Sequence, residues 1–220
     1  MAFPTSDMRG HNRLHDRVTA ALDRCQESQD VDFKESAGWP QLRYRIMKAA
    51  MAMANLRDGG VVIVGVSERN AIWELTGISE VDLASFEADD IIEEINSVAS
   101  PHIVLDVVLV TYRNGNRFLA IQANEFGETP IVCKKTVDSR TTGEPVLEQG
   151  AVYIRPAGVA QTIRITDARQ MHALLELSAE KRARHILEAA ARIGLVAGAG
   201  MPATGERTAT QRFDEELGNL

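Results

Sequence analysis

Two stretches of this chain carry apolar residues at the spacing of an amphipathic helix. In each, apolar positions follow the first one at 4, 7, 8 and 11 residues: Leu14, Val18, Ala21, Leu22 and Cys25, then Leu42, Ile46, Ala49, Ala50 and Met53. That spacing places the apolar side chains on one side of a helix, against a core. Pro40 suits the first turn of the second helix, because a backbone N–H there has no partner to lose.

Two other stretches have the pattern of β-strands. Residues Val31–Lys34 alternate between apolar and charged side chains, which predicts a short strand with Asp32 and Lys34 on one face. Val61–Val66 is almost wholly apolar, as expected of a central strand that is buried on both faces. Residues 27–68 therefore predict a strand–helix–strand unit around which the rest of the chain is organised.

The remaining pattern predicts further strands and two more helices. They are expected in this order: a return strand at 72–75, an acidic surface helix at 83–99, a hairpin of strands at 103–112 and 117–123, a short strand at 131–133, a polar loop at 136–150, a strand at 151–155 and a long helix capped by Thr166 and Asp167. The expected fold class is α+β, with a mixed, mostly antiparallel sheet packed with helices. Residues 1–11 are expected to form a flexible arm, 12–195 the domain with its C-terminal helix, and 196–220 a disordered tail.

The composition indicates a globular protein without a membrane segment. With 220 residues, of which 45% are hydrophobic, the chain has enough apolar material for one core. No apolar run approaches the roughly 18–20 residues that cross a bilayer. Cys25 and Cys133 lie far apart and form no CxxC pair. We therefore expect a cytoplasmic protein without a zinc site.

The glycines after the second predicted helix do not form a nucleotide-binding loop. Gly59 and Gly60 follow a helix C-terminus, whereas a loop that cradles phosphate precedes a helix N-terminus, where the dipole is positive. The chain also has no G-x-x-x-x-G-K-[ST] sequence. We therefore expect no ATP site.

The net charge of −7 comes from one part of the chain. Residues 77–100 carry seven acids and no Lys or Arg, while the rest of the chain has 24 acids and 24 bases. Residues 34–57 carry five bases and one acid. We expect a molecule with one acidic and one basic side, and the basic side is compatible with binding to nucleic acid.

A set of short motifs is spread over most of the chain. They are Glu27-Ser28, Asp32-Phe33-Lys34-Glu35-Ser36, Ala52-Met53-Ala54-Asn55, Gly59-Gly60, Gly65-Val66, Glu68, Gly77 and Tyr153-Ile154-Arg155. In their combined spacing these motifs resemble the Schlafen-type AlbA-like domain, in particular its bacterial single-domain members. Asp32 stands where the family usually has Glu, and Glu68 where it usually has Asp. The resemblance implies a Schlafen/AlbA-like fold that binds DNA or RNA.

The resemblance also implies a metal-dependent catalytic site made by Glu27, Asp32 and Glu68, with Lys34 beside them to hold a substrate phosphate. Carboxylate oxygens are ligands that Mg²⁺ and Mn²⁺ prefer, and such an ion can activate a water for attack on a phosphodiester. Animal Schlafen proteins use the matching acids to cleave transfer RNA and similar structured RNA. This implies a Mg- or Mn-dependent endoribonuclease, active in stress or phage defence. The simpler interpretation is that the three acids are ordinary solvated residues at strand ends.

Basic residues are the candidates for contacts to a nucleic-acid backbone. They are Lys34, Arg43, Lys48, Lys134, Lys135, Arg140 and Arg155. As alternatives, Lys34 could pair with Glu35, and Arg43 and Lys48 could belong to a solvated helix face. Aromatic residues make up only 5% of the chain and do not cluster among these bases, so backbone contacts to a duplex-like nucleic acid are favoured over base stacking.

A second interpretation is a non-catalytic DNA- or RNA-binding or adaptor module, such as a transcription regulator or a component of a defence system. The residue changes at Asp32 and Glu68 favour it, because a metal site tolerates little error in ligand position. The acidic helix at 83–99 and the C-terminal tail would then dock a protein partner. Two chains could also pair as a homodimer and build a cleft around the nucleic acid.

Overall fold

Helices and short strands alternate along the chain in a computed structural model, which describes residues 8–139 and 143–194 and the side chains from Arg13 onward. The described helices are α1 Met8–Arg24, α2 Trp39–Ala54, α3 Glu80–Leu83, α4 Ala88–Val98 and α5 Ala168–Arg192. The described strands are β1 Val31–Lys34, β2 Gly60–Val64, β3 Ser67–Arg69, β4 Ile72–Glu74, β5 Ala99–Ser100, β6 Leu105–Thr111, β7 Arg117–Ala123, β8 Val132–Cys133, β9 Val137–Asp138, β10 Pro145–Leu147, β11 Tyr153–Ile154 and β12 Ile163–Arg164.

A four-stranded sheet with the strand order β1-β2-β7-β6 forms the centre of the fold. β1 and β2 run parallel, with Asp32 opposite Val62, and α2 makes the crossover between them. β7 is antiparallel to β2 on one side and to β6 on the other. The other strands form four two-stranded ribbons. The fold is therefore α+β with a mixed, mostly antiparallel set of strands, as the sequence predicts.

Helices cover both faces of this sheet and create two apolar cores. On one face, α1 packs Leu14, Val18 and Leu22 against alternate residues of the sheet, such as Ile63 and Phe118. The other face packs against α2 and α4 in a larger core. All five residues of β2 are buried, which confirms the prediction of a central strand covered on both sides.

The turn from α2 into β2 contains a glycine, Gly59, and any other residue there would force the neighbouring backbone to move. Gly59 has a φ of +64°, and a Cβ placed there would lie 2.1 Å from the carbonyl oxygen of Ala123. Gly60 follows directly, and its own Cβ would lie 2.5 Å from Met53 on α2. These contacts place the end of α2 close to β7, so the glycines have a packing role here.

Several predicted elements are confirmed, and others differ in their limits. The hairpin of β6 and β7, the β3–β4 return and the long C-terminal helix are present. The acidic helix predicted at 83–99 is two helices, α3 and α4, because the chain turns between them to bury Phe86. The loop predicted at 136–150 contains a ribbon of β9 and β10. β12, which pairs with β11, was not predicted.

The predicted ends of the chain lie mostly outside the described residues. Of the arm predicted at residues 1–11, positions 8–11 belong to α1 and the others are not described. The tail predicted at 196–220 is likewise outside the described residues. The loop residue Arg140 is also among those not described.

The chain divides into two units, residues 1–181 and 182–220. The first unit contains all the described strands and the first part of α5. The described part of the second unit, residues 182–194, contains the end of α5, where Ile186 and Leu187 are exposed, and the exposed Ile193 just after the helix. None of the helices in residues 8–139 and 143–194 is long and apolar enough to span a membrane.

Candidate functional site

The carboxylate of Asp32 lies between two cations on the larger-core face of β1. Strand alternation puts Asp32 and Lys34 on one face and Val31 and Phe33 on the other, as predicted. Asp32 is 6% exposed; its Oδ1 accepts a hydrogen bond of 2.9 Å from Nη1 of Arg155, and its Oδ2 forms an ion pair with the Lys34 ammonium. Both carboxylate oxygens therefore already have a positively charged partner.

Arg155 is a buried cation that joins β1 to the segment after β11. Its side chain is 1% exposed, and its Nη2 donates to the backbone carbonyls of Ser28 at 3.0 Å and Val31 at 3.2 Å. Gln29 donates in turn to the carbonyl of Arg155 at 2.6 Å. Because a buried arginine keeps its charge, it needs an acidic partner, and Asp32 is the carboxylate that lies against it.

Glu27 binds the backbone of β1. Its Oε1 accepts a hydrogen bond of 2.8 Å from the N–H of Phe33. Burial raises the pKa of Glu27; the Phe33 N–H opposes this rise, the charge of Asp32 adds to it, and Lys34 and Arg155 oppose it. The Lys34 ammonium donates to the Phe33 carbonyl at 3.1 Å. Glu27, Lys34 and Arg155 thus satisfy backbone groups along the outer side of β1.

Glu68 does not join the other two acids. It lies on β3, opposite Trp73 in the β3–β4 hairpin, and its side chain is exposed. The chain leaves β2 through Gly65, whose φ of +114° turns it away from the line of the strand. Among the described residues, no group of three or more His, Cys, Asp or Glu is arranged to hold a metal ion.

The predicted metal site of Glu27, Asp32 and Glu68 is therefore a poor fit to this structure. A divalent ion needs carboxylate oxygens that are free to coordinate, and it is repelled by nearby cations. Here Asp32 is neutralised by Lys34 and Arg155, and Glu27 is engaged by a backbone N–H. The sequence motif brings two of the three acids together with two bases, which makes an ion-pair network in place of a ligand set.

The basic residues predicted to track a nucleic acid lie in several different environments. Arg43 stacks on Tyr44 and approaches Glu94 of the acidic helix at 3.6 Å. Lys48 lies over the ring of Tyr153 at 5.0 Å. Lys34 and Arg155 are bound to Asp32, so neither is free to receive a phosphate. The basic side expected from the sequence is thus interrupted, because several of its cations are engaged by local partners.

Two lysines after β8 remain without a carboxylate partner among the described residues. Lys134 donates from its ammonium to the carbonyl of Asn96 at 2.8 Å, near the end of α4. Lys135 is exposed to solvent. Carbonyl oxygens carry only a partial charge, so the full positive charge of this pair remains available to an anion.

A cavity of about 830 Å³ gathers arginines that were not candidates on sequence grounds. Arg17, Arg57 and Arg169 line it together with Arg155, and they come from distant parts of the chain. Arg17 is paired with Asp30 at 2.8 Å, Arg57 is paired with Glu180, and the guanidinium of Arg169 has no partner among the described residues. No local motif marks this group, because folding alone brings the segments together.

Asp30 is the acid that balances Arg17 in this cavity. Burial by itself would raise the pKa of Asp30, but hydrogen bonds from Ser28 and Arg17 and the charge of Arg17 outweigh it and lower the pKa. Asp167, another lining residue, is occupied at the start of α5, where its Oδ1 accepts the backbone N–H groups of Arg169 and Gln170 at 2.9 Å. Arg169 is the lining cation left without an acidic partner among the described residues.

Asn55 is a buried polar residue whose role the sequence did not reveal. Its amide nitrogen donates to the carbonyls of Ile131 at 2.9 Å and Tyr153 at 3.0 Å, and its oxygen accepts the N–H of Ile131 at 2.7 Å. Asn55 therefore connects the end of α2 to the segments of β8 and β11. The sequence signal was its position at the end of a predicted helix.

Comparisons with known proteins give one family and several distant structural likenesses, among them the following two. A structure of the DIP2311 protein of Corynebacterium diphtheriae is 19% identical, with a TM-score of 0.44, and the match covers 71% of this chain and 27% of that chain. The N-terminal domain of a Nitrosomonas europaea protein described as related to the ATP-dependent DNA helicase RecG is 15% identical, with a TM-score of 0.37, covering 70% of this chain and 92% of that chain. No curated protein matches the chain.

The family model of the Schlafen, AlbA_2 domain matches residues 27–163. This range contains the whole four-stranded sheet, the Asp32–Arg155 pair and the lysines after β8, and it makes up more than half of the 220 residues. Family membership indicates binding to nucleic acid. The chain belongs to the Schlafen AlbA_2 domain family.

Proposed function

We propose that this chain is a nucleic-acid-binding module that holds the phosphate backbone of a structured RNA or DNA and does not cleave it at Asp32. The observation that carries the proposal is the pairing of both Asp32 oxygens with cations, one of them on the buried Arg155. A metal ion could take Asp32 only by displacing the Lys34 ammonium or the buried Arg155 guanidinium, and the cation that stayed would repel it. Asp32 is better suited to holding the fold than to binding a metal.

The proposed contacts to the backbone are three of the cations that have no carboxylate partner among the described residues: the adjacent Lys134 and Lys135 after β8, and Arg169 in the arginine-lined cavity. Each can neutralise one phosphate without first breaking an ion pair. Contacts of this kind fix the position of the nucleic acid and carry no sequence information. Binding should therefore depend strongly on salt and weakly on base sequence.

Fluorescence anisotropy with labelled transfer RNA and with a short DNA duplex tests these contacts. Arg169→Ala and Lys135→Ala should each weaken binding and lower the slope of log K against log salt by about one unit. Arg69→Ala is the matched control, because Arg69 is also exposed but approaches Glu74 at 3.5 Å. Equal affinities and equal salt slopes for all three variants would contradict the proposed contacts.

A cleavage assay distinguishes the proposed binding module from the metal-dependent endoribonuclease that the family resemblance implies. Transfer RNA is incubated with the protein, with and without Mn²⁺, and the products are separated on a denaturing gel. We expect bound, uncut RNA under both conditions. Mn²⁺-dependent cleavage that is lost in Glu27→Gln, a variant that keeps the acceptor for the Phe33 N–H, would replace the binding module with a nuclease.

A further inference from the structure

The four-stranded sheet has two outer strands, β1 and β6, and their outer edges differ. An outer strand presents a row of backbone N–H and C=O groups that can pair with another chain. Proteins usually protect such a row with side chains, prolines, charges or covering segments. The two edges therefore show which side of this sheet is closed and which is open.

The outer edge of β1 is closed by its own surroundings. The N–H and C=O of Val31 bond to the backbone of Ser28, and the same carbonyl also receives Arg155. The N–H of Phe33 donates to Glu27, and its C=O accepts from Lys34. Every backbone group that β1 turns away from β2 at these two residues thus has a partner.

The pairing of β6 with β7 shows which groups of β6 point outward. Just beyond the two ends of β6, the N–H of Tyr112 donates to Asn116 and the N–H of Asn124 donates to Val104, both at 2.9 Å. Antiparallel ladders alternate between bonded and non-bonded pairs, so the even-numbered residues of β6 bond to β7. The odd-numbered residues turn their backbone groups to the outside: Leu105, Val107, Leu109 and Thr111.

The outer edge of β6 is open. Within the described part of the chain, no hydrogen bond reaches the outward groups of its odd-numbered residues. The strand reads Leu-Asp-Val-Val-Leu-Val-Thr, without Lys, Arg or Pro. Its one charge, on Asp106, accepts a hydrogen bond of 3.0 Å from Asn124 of the same chain. The usual devices that keep a strand edge from pairing are missing here.

We propose that β6 pairs antiparallel with β6 of a second copy of this chain, across a two-fold axis at Val108. In that register Leu105 lies opposite Thr111 of the second copy, and Val107 lies opposite Leu109. Every outward-facing residue then meets an outward-facing residue, and the two exchange both backbone hydrogen bonds. The result is one continuous sheet that runs through both copies.

The side chains of β6 are compatible with pairing of its outer edge with a second copy of this chain. Asp106 would lie opposite Val110 of the other chain, so no like charges meet across the axis. Val108 and Val110 face the α1 core, while Leu105 and Val107 face the larger core. Pairing would therefore extend each core into its counterpart. The homodimer expected from the sequence thereby gains a defined surface, which is independent of the proposed nucleic-acid contacts.

Sedimentation velocity on the full chain over a range of concentrations tests the pairing. The wild type should form a dimer, and Leu109→Pro should raise its dissociation constant about tenfold or more, because each copy loses an outward N–H. Proline at this position removes no bond to β7. Leu109→Val is the matched control and should still dimerise. Thr111→Pro and Thr111→Ala repeat the comparison at the exposed end of the strand.

Hydrogen exchange followed by NMR tests the pairing of the β6 edge in the wild-type protein, without a substitution. As the protein concentration rises through the dissociation constant, the amides of Leu105, Val107, Leu109 and Thr111 should exchange more slowly, while those of Asp106, Val108 and Val110 should stay unchanged. A wild type that remains monomeric at high concentration overturns the proposal. A dimer with no alternation along β6, or one indifferent to both prolines, overturns it equally.

Discussion

Asp32 and Arg155 form an ion pair in which the guanidinium is 1% exposed and the carboxylate side chain 8% exposed. Both charges have left water, which costs free energy that their attraction and their hydrogen bonds must offset. The arginine recovers further bonds from the carbonyls of Ser28 and Val31. Removal of one partner leaves the other as a buried, uncompensated charge. The resulting decrease in the free energy of unfolding is what a substitution would measure.

Asp32→Asn should lower the free energy of unfolding by about 3 kcal/mol, because Arg155 keeps its charge without a carboxylate partner. Urea denaturation at neutral pH measures this change. Glu35→Gln, an exposed substitution three residues along the chain, should change stability by less than about 0.5 kcal/mol. An Asp32→Asn variant as stable as Glu35→Gln would show that the pair does not hold the fold.

Glu27 makes the pH dependence of stability testable. Because burial raises the pKa of Glu27 above its unfolded value, the folded state binds its proton more tightly. Stability from this group is therefore fully present at low pH and is lost as the pH rises from the ordinary glutamate pKa through the raised one.

Glu27→Gln removes that titration but keeps an oxygen for the Phe33 N–H. The stability of the variant relative to wild type should therefore rise with pH across this acidic window and stay constant above it. Urea denaturation at several pH values gives the difference directly. A difference that is flat with pH, or that falls as the pH rises, would mean that the Glu27 pKa is not raised in the folded protein.

At the scale of elements, the side chain of Asn55, the residue at the C-cap of α2, ties that end of the helix to the rest of the fold. The amide bridges α2 to two segments that are distant in sequence, those of β8 and β11. The same region must admit Gly59 against the carbonyl of Ala123. The strand–helix–strand unit thus depends on contacts from outside its own stretch of chain.

Asn55→Ala should lower the free energy of unfolding by about 2–4 kcal/mol, since it leaves buried groups of Ile131 and Tyr153 without partners. Asn55→Asp keeps the acceptor for the Ile131 N–H but loses both donors, and it also buries a charge. It should be no more stable than the alanine variant. Thermal unfolding followed by circular dichroism compares the two, and a stable Asp variant would mean that the donors contribute little.

At the scale of the whole molecule, many basic side chains form ion pairs with acids, so the charges do not separate cleanly into one acidic and one basic side. Arg43 meets Glu94 of α4, and Arg57 meets Glu180 of α5. Pairing of this kind removes cations from a nucleic-acid surface without changing the net charge of −7. The proposed binding uses three of the cations that such pairing leaves available, Lys134, Lys135 and Arg169. A role in stress or phage defence stays a prediction.

The sequence by itself determined the order and type of the main elements and the family. Periodicity placed α2, the buried β2 and the β6–β7 hairpin, because burial imposes a period on the apolar residues that can be read locally. It also placed Asp32 and Lys34 on one strand face. These features depend on residues that are near in sequence, so the motif and its spacing carry them.

Only the tertiary structure decided what the charged residues do. Arg155 is separated from Asp32 by more than a hundred residues, yet it neutralises that carboxylate. Glu68 lies in the β3–β4 hairpin, away from Glu27 and Asp32. The sequence pattern also predicts neither the group of arginines in the cavity nor the open edge of β6. The strength of an ion pair and the freedom of a strand edge depend on distance and burial in three dimensions, and neither leaves a period in the sequence.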